Sequence, residues 1–526
     1  MSEAPSQTPS SAMEMEKVKV DSGEQRLREL GYKQELKREL SLIHNLALSF
    51  SIICILGAVT VLYNTGLSYG GPVSMTYGWL IVSFFSMFVG VSLAEICSAY
   101  PTTGGLYFWS YQLAGKEWGP FAAWMTGWFN IVAQWAAIAS IDYYLAVFIQ
   151  TIILLSTGGA NNGGYIASKY EVLGICGGIL LLHSALNSLP IGWLAYVGTF
   201  AAAWNILGVF ILMFLIPLVS PTRASAKFVF QHFNKESSYQ IHSSPYIFCL
   251  GLLMSQFTLA GYDAAAHMSE EAKFSDKSGP YTIISSLAIS IVVGWGYLLG
   301  ITFAVTDLDH VIDPGNDANG NAIAQVFYDA FKNRFGSGIG GIFCLGVVAL
   351  AVFFSAMGAI TATSRIIYGF SRDEAMPFSR VWHSVNRWEV PLNAVWLCTT
   401  ISFILATTSL GSLVAFQALV SVATISIYIT YAVPSLLRVT IARKSFVSGP
   451  LKLGVFGSIC GWVAVMWVAV ITVLFSLPVQ YPVTSKNLNY APVVVGGVAA
   501  LGIGSWLVNA RHWFKGPVAN LAAHEH

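Results

Sequence analysis

The chain has 526 residues, of which 55% are hydrophobic and 10% charged, with a formal net charge of +1. Soluble domains carry roughly 25% charged residues. At a mean hydropathy of +0.63, this chain is excluded from the soluble globular class and needs lipid as the solvent for much of its surface. The near-zero net charge gives no electrostatic footprint for nucleic acid.

In chain order, the first 40 residues are polar and hold eight acids, from Glu3 to Glu39. They lack the early apolar stretch of a signal peptide and are too acidic for a mitochondrial presequence. Residues 1–43 are therefore expected to form a cytosolic tail, with a charged surface helix over Glu24–Leu40. A spanning helix needs about 20 mostly apolar residues. Twelve segments qualify: 44–70, 77–99, 120–151, 171–189, 194–219, 245–268, 281–305, 339–369, 392–409, 411–437, 453–477 and 488–510. Only Pro190 and Gly192 separate the fourth from the fifth, and Ser409–Gly411 the ninth from the tenth. The turn chemistry of Asp313-Pro314-Gly315-Asn316-Asp317 marks a long connection, followed by a short surface helix over Asn321–Phe335. Residues 511–526 are expected to form a second tail, so the twelve-helix body is 44–510.

Twelve spans put both termini on one side of the membrane. With that side inside, the inner segments hold 20 Lys and Arg and the outer segments 7. The positive-inside rule then predicts cytosolic termini. The plasma membrane is the expected residence, an organellar membrane the alternative. The seven cysteines form no CxxC pair and read as buried small hydrophobes. No pattern calls for a metal or a cofactor.

A break in a spanning helix is tolerated where it lines a cavity, and transporters use paired breaks to bind solutes near the midplane. Two segments qualify: Gly57-Ala58-Val59-Thr60 in span 1 and Leu259-Ala260-Gly261-Tyr262-Asp263 in span 6. Each opens a group of five spans. Five is odd, so the second group would be inverted relative to the first.

Three loop motifs carry a resemblance. Ala94-Glu95-Ile96-Cys97-Ser98-Ala99-Tyr100-Pro101-Thr102-Thr103-Gly104-Gly105 follows span 2; Gly261-Tyr262-Asp263 leads to Glu270-Glu271; and Ser364-Arg365 through Asp373-Glu374-Ala375-Met376-Pro377 ends span 8. Together these resemble the amino acid–polyamine–organocation superfamily. Asn64–Pro72 and Gly261–Glu271 look most like its amino acid/choline transporter branch, and within it the plant bidirectional amino acid transporters, or GABA permeases. The resemblance implies an all-α integral membrane fold of twelve transmembrane helices: a LeuT-like 5+5 inverted repeat (spans 1–5 and 6–10) plus two extra helices. Span 1 keeps only Gly57 where the superfamily has a Gly-x-Gly pair. Span 5 around Ala203–Ile206 lacks the lysine of some proton-coupled relatives.

The expected substrate is an amino acid or GABA, moved by alternating access. Amides near Gly57, Ala58, Val59 and Thr60 suit a carboxylate, and the carbonyls freed at both breaks suit an ammonium. Phe257 would be an aromatic gate, beside Ala260, Gly261, Tyr262 and Asp263, and Gln134 could reach the cavity. A buried charge is costly in a membrane, so Asp263 is read as supporting the break or carrying a proton. Asp142 is expected to face an outer vestibule. Glu95, Arg365 and Glu270, with Arg372, Asp373 and Glu271, are expected to form ion pairs closing the inner gate. Exchange, facilitated and cation-coupled modes all fit, and Thr361, Thr363 and Ser364 are hydroxyls that a sodium site could use. The rival readings are a carrier of cationic solutes such as choline or polyamines, an integral membrane enzyme, and an ion channel, for which no filter-like loop is visible. The scattered histidines and the absence of HExxH argue against the enzyme.

Overall fold

The computed structural model describes residues 21–517, apart from 35, 236–238, 412 and 486. The parts of the predicted tails at 1–20 and 518–526 lie outside the described residues. The described chain is helical: α1 Ser22–Glu29, α2 Leu42–Ile53, α3 Ile55–Val61, α4 Tyr63–Ser68, α5 Gly71–Ala99, α6 Gly105–Ser156, α7 Lys169–Asn187, α8 Ile191–Val219, α9 Ala226–Gln231, α10 Ser244–Thr258, α11 Ala264–His267 and α12 Ser275–Thr302. There follow α13 Leu308–Ile312, α14 Ala322–Phe335, α15 Ile339–Arg372, α16 Ser379–Trp382, α17 Leu392–Ala406, α18 Thr408–Gly411, α19 Leu413–Val439, α20 Val455–Leu474, α21 Ala491–Ser505 and α22 Arg511–Trp513. Among the described residues, 11 helices are long and apolar enough to cross a membrane. The segment expected as span 6 is not one of them. Its first piece, α10, has 15 residues, and a non-helical stretch separates it from the single turn of α11.

Local chemistry explains the main boundaries. At 52 residues, α6 would reach about 78 Å if straight, more than twice the hydrocarbon thickness. Gly115, at φ 74°, bends it and leaves a shorter leg before the span. Ser168 and Glu171 form a reciprocal cap at the start of α7. Asn321 caps α14, and Gly336 ends it in the left-handed conformation at φ 72°. The expected surface helix is thus present, but its Ala322–Tyr328 stretch is buried, packed against α15.

The helix expected over Glu24–Leu40 is shorter than predicted. Only α1 forms, because the segment after it bonds to the bundle instead of to itself. Leu40 N donates to the Glu271 carbonyl (2.9 Å), Lys273 N to the Leu40 carbonyl (2.9 Å), and Arg38 to the Ala272 carbonyl (2.6 Å). This face of the bundle is called the N-terminal face below. In the core, α19 lies along α6, α15 packs on α6, α12 on α5, and α2 on α8. All seven cysteines are free thiols, and all but Cys249 are buried.

Candidate functional site

Span 1 is broken, three residues before the expected place. Cys54 takes a left-handed conformation (φ 44°, ψ 67°) between α2 and α3. An L-residue there is uncommon, and neighbours hold it. Asn205 Oδ1, from α8, accepts from Leu56 N (3.2 Å), and Ser355 Oγ, from α15, donates to the Ile52 carbonyl (2.9 Å). The Cys54 thiol points to the Ala351 carbonyl at 3.3 Å. These side chains satisfy backbone groups that the break takes out of the helix. Gly57, Ala58, Val59 and Thr60 lie within the helix that follows.

The second break is where the glycine predicts it. Gly261 sits at φ 89°, a conformation that glycine adopts without steric penalty. Its amide donates to the Tyr431 hydroxyl (3.2 Å), and the Leu259 carbonyl accepts from Tyr428 (2.6 Å), so α19 supports the broken segment.

Between the two breaks lies a cavity lined mostly by apolar side chains. Span 1 contributes Ile52, Ile53, Cys54, Gly57, Ala58 and Val61; α6 contributes Gln134, Ala137 and Ile141; span 6 contributes Phe257, Ala260 and Gly261; α15 contributes Val352, Ser355 and Ala359; and α19 contributes Ile427. Among the described residues, every lining side chain is uncharged.

Six of the ten expected binding residues meet there: Gly57, Ala58, Gln134, Phe257, Ala260 and Gly261. The others do not line it. Val59 is buried in the core, and Thr60 bonds to the Leu56 carbonyl and Tyr297. The Tyr262 ring packs on Tyr431, with centroids 5.0 Å apart. Asp263 lies just beyond the cavity, where its carboxylate accepts from Tyr431 (2.6 Å) and meets His267 Nε2 at 3.2 Å. Asp142 does not face a vestibule. It is fully buried beside His183, Oδ1 to Nδ1 at 3.1 Å. The lining residues missed in sequence are aliphatic, apart from Cys54 and Ser355. Nothing in the composition of a spanning helix separates such residues from ordinary packing.

On the N-terminal face the expected charged cluster divides in two. Arg365 pairs with Glu271 (3.1 Å) and Arg372 with Glu270 (3.0 Å), both buried. Asp373 accepts from Tyr107 (2.8 Å). Glu95 is separate: it faces Arg438 at 3.5 Å and accepts from Leu453 N. Arg438 was missed in sequence because the partners are 343 positions apart along the chain. Tyr32, from the segment after α1, stacks under the Arg372 guanidinium at 4.4 Å. Burial and the Asp373 carboxylate push its phenol well up from the ordinary value. The Thr361 and Ser364 hydroxyls are bonded to Asn187 Oδ1 and the Thr361 carbonyl. Among the described residues no group of three or more His, Cys, Asp or Glu side chains is arranged to hold a metal ion.

Comparison with known proteins bears on the same residues. The chain is 64% identical to the amino-acid permease BAT1 homolog of Oryza sativa subsp. japonica over 501 residues, covering 95% of this chain and 96% of that one. It is 60% identical to the amino-acid permease BAT1 of Arabidopsis thaliana, covering 95% and 97%, and 30% identical to the GABA-specific permease of Saccharomyces cerevisiae, covering 95% and 86%. The amino acid permease family matches residues 40–499, which include both breaks, the cavity and the ion pairs. The chain belongs to the amino acid permease family, within the amino acid–polyamine–organocation superfamily.

Proposed function

We propose that the chain carries an amino acid or GABA-like solute across its membrane by alternating access, with the solute held in the cavity between the two broken helices. One observation carries this reading: the cavity is lined by uncharged side chains and borders main chain taken out of both helices. A zwitterion has no net charge to neutralise. Its carboxylate and ammonium can be met by backbone amides and carbonyls at such breaks. A polyamine or choline would call for carboxylates or an aromatic box in the lining, which has Phe257 as its single aromatic.

Twelve spans accompany this reading, with the broken segment 244–267 as the sixth, both termini cytosolic, and spans 1–5 repeated in inverted form by spans 6–10. On that topology the N-terminal face is the inner one. Its buried ion pairs and the strand-like segment around Leu40 then form the closed inner gate, and Phe257 is the aromatic group that closes over substrate. Plasma-membrane residence is part of the proposal, and bidirectional flux follows from a carrier with no bias built into its site.

Uptake of labelled GABA, glutamate, arginine and choline into proteoliposomes tests the function. Saturable uptake of at least one amino acid, accelerated by unlabelled substrate preloaded inside, is expected. Choline uptake with no amino acid flux would refute it. Glu95→Gln weakens the contact with Arg438 and is expected to change the maximal rate several-fold while moving the half-saturating concentration less than two-fold. An unchanged rate would remove Glu95 from the gate.

A further inference from the structure

On the N-terminal face α12 starts with a gap in its hydrogen bonding. Pro280 lies inside the helix and has no N–H, so the Asp276 carbonyl, four residues before it, has no helical donor. Ser98 Oγ, from the end of α5, donates to that carbonyl at 3.1 Å. The same oxygen accepts from Leu451 N at 2.9 Å, in the loop before α20. Gly449 lets this loop come close, since a Cβ there would lie 2.0 Å from the Ser98 carbonyl oxygen. One hydroxyl thus ties together two walls, the first turns of α12 and the 450–451 stretch.

Between the walls runs a groove. Lys277, Pro280, Tyr281 and Ile284 line one side, and Pro450 and Leu451 the other. Its lining is mostly apolar, and it continues the lipid-facing surface of both helices. Tyr281 is 58% exposed, Val292 further along α12 is 72% exposed, and Val455 at the start of α20 is 79% exposed. On helices of membrane length such side chains meet acyl chains. The rim is cationic. Lys273, Lys277 and Lys452 are exposed, and none of them makes an ion pair among the described residues. Asp276 brings the one carboxylate of the lining. It is buried, and the Ser22 hydroxyl donates to it at 2.8 Å.

We propose that this groove binds an anionic phospholipid of the adjoining leaflet, with an acyl chain between Pro280, Tyr281 and Leu451 and its phosphate at Lys277, flanked by Lys273 and Lys452. Basic pockets between spanning helices suit anionic headgroups. An ammonium is a compact charge that binds phosphate without demanding one geometry. A tyrosine at the membrane–water boundary offers an apolar ring and a polar tip. A zwitterionic lipid brings its own cation and gains little from three lysines. A soluble phosphate has the charge but leaves the apolar walls wet. Headgroup charge and acyl chain together single out the ligand.

Occupancy reaches the ion pairs through the loop itself. Two residues after Leu451, Leu453 N donates to Glu95, the partner of Arg438. At the other end of the loop the Phe446 ring lies 4.2 Å from the Arg438 guanidinium. A lipid that holds Pro450 and Leu451 against α12 therefore holds the backbone that positions Glu95. On the carrier reading proposed above, it stabilises the closed state of this face and slows turnover without changing solute affinity.

The test uses the purified full chain in detergent, with dioleoyl phosphatidylglycerol, dioleoyl phosphatidylcholine and glycerol phosphate as probes. Native mass spectrometry counts the molecules retained. Phosphatidylglycerol is expected to stay bound where phosphatidylcholine is lost, and glycerol phosphate is not expected to displace it. A lysine near a membrane surface is worth about five-fold in binding, so Lys277→Gln/Lys452→Gln is expected to weaken retention about 25-fold. Ser285→Trp fills the groove without changing charge and is expected to weaken retention at least ten-fold. Lys227→Gln, on α9, is expected to change nothing. Equal retention of the two lipids by the wild type overturns the proposal, as does retention that survives the double variant. Retention lost in the double variant but intact in Ser285→Trp would be surface attraction and also overturns it. Displacement by glycerol phosphate would make this a phosphate site and not a lipid site. In vesicles, adding phosphatidylglycerol to phosphatidylcholine is expected to lower initial uptake of labelled GABA, glutamate or arginine several-fold in the wild type and not in the double variant. An equal response in both overturns the coupling to Glu95. If the wild type moves none of these solutes, the carrier reading fails, and the binding result is read independently of it.

Discussion

Replacing Arg365 by alanine is expected to destabilise the protein by about 3–5 kcal/mol, the usual result of leaving one charge of a buried pair without its partner. Arg365 and Glu271 are both almost completely inaccessible. The guanidinium also donates to the Ser364 hydroxyl at 3.0 Å and approaches the Thr361 carbonyl at 3.4 Å, so its position is fixed by three groups at once. Without it, the Glu271 carboxylate loses its guanidinium partner and must protonate or draw in water. The measurement is the fraction of detergent-solubilised protein that remains monodisperse after heating. The informative comparison is with the double variant Arg365→Met/Glu271→Met. Removing both charges relieves the desolvation that made the single variant costly, so the double variant is expected to recover most of the lost stability. A double variant as unstable as the single one would mean that Arg365 acts through packing, not through its charge. A single variant that melts like the wild type would remove the pair from the list of structural supports altogether.

That pair also illustrates what sequence could and could not reveal. Residues 365 and 271 were singled out from loop motifs, and their charges and the apolar segments around them are legible in one dimension. Hydropathy located eleven long helices, because twenty apolar residues have few alternatives in lipid, but it missed the leg of α6 from Gly105 that precedes the expected start at 120, and it ran the first span to 70 where the helix ends at Val61. The partnership between particular charges was not legible. Glu95 meets Arg438 instead of the acids and bases nearest to it in the motif, since pairing depends on how α5 and α19 end in space. The span 1 break was displaced for the same reason. Glycine is the sequence signal for irregular backbone, and Gly57 drew the expectation to itself. The residue that leaves the helix is Cys54, held by Asn205 and Ser355 from helices far along the chain. Span 6 carries its own glycine at the strained position, so there local signal and tertiary outcome coincide. The segment around Tyr32 and Leu40 was read as a charged helix because its charges suggested solvent. Its backbone instead completes the hydrogen bonding of the turn after α11.

The two glycines at the cavity are expected to fail in different ways when replaced, and the contrast tests the breaks themselves. Gly57 has ordinary helical backbone, but a Cβ there would lie 2.6 Å from Val352 Cγ2 and 2.9 Å from Cys54 Sγ. Gly57→Ala therefore overpacks span 1 against α15, a change that costs about 1–3 kcal/mol. Its effect should be seen as lower thermal stability and smaller yield, and Val352→Ala, which removes the obstructing methyl groups, should restore much of both. Gly261 differs because its conformation, at φ 89°, is itself the obstacle, while the nearest atom to a Cβ is Ile52 Cγ2 at 3.2 Å. Gly261→Ala adds about 1–2 kcal/mol of left-handed backbone strain. At about 1.4 kcal/mol per factor of ten, the population with the break correctly formed falls roughly 5- to 30-fold, and initial uptake should fall with it. Enlarging the space with Ile52→Ala should not rescue the rate, because the strain lies in the chain and not in the contact. Rescue by Ile52→Ala would make Gly261 a packing residue like Gly57. Wild-type uptake in Gly261→Ala would mean that the left-handed turn is dispensable, and the reading of span 6 as a working break would fall.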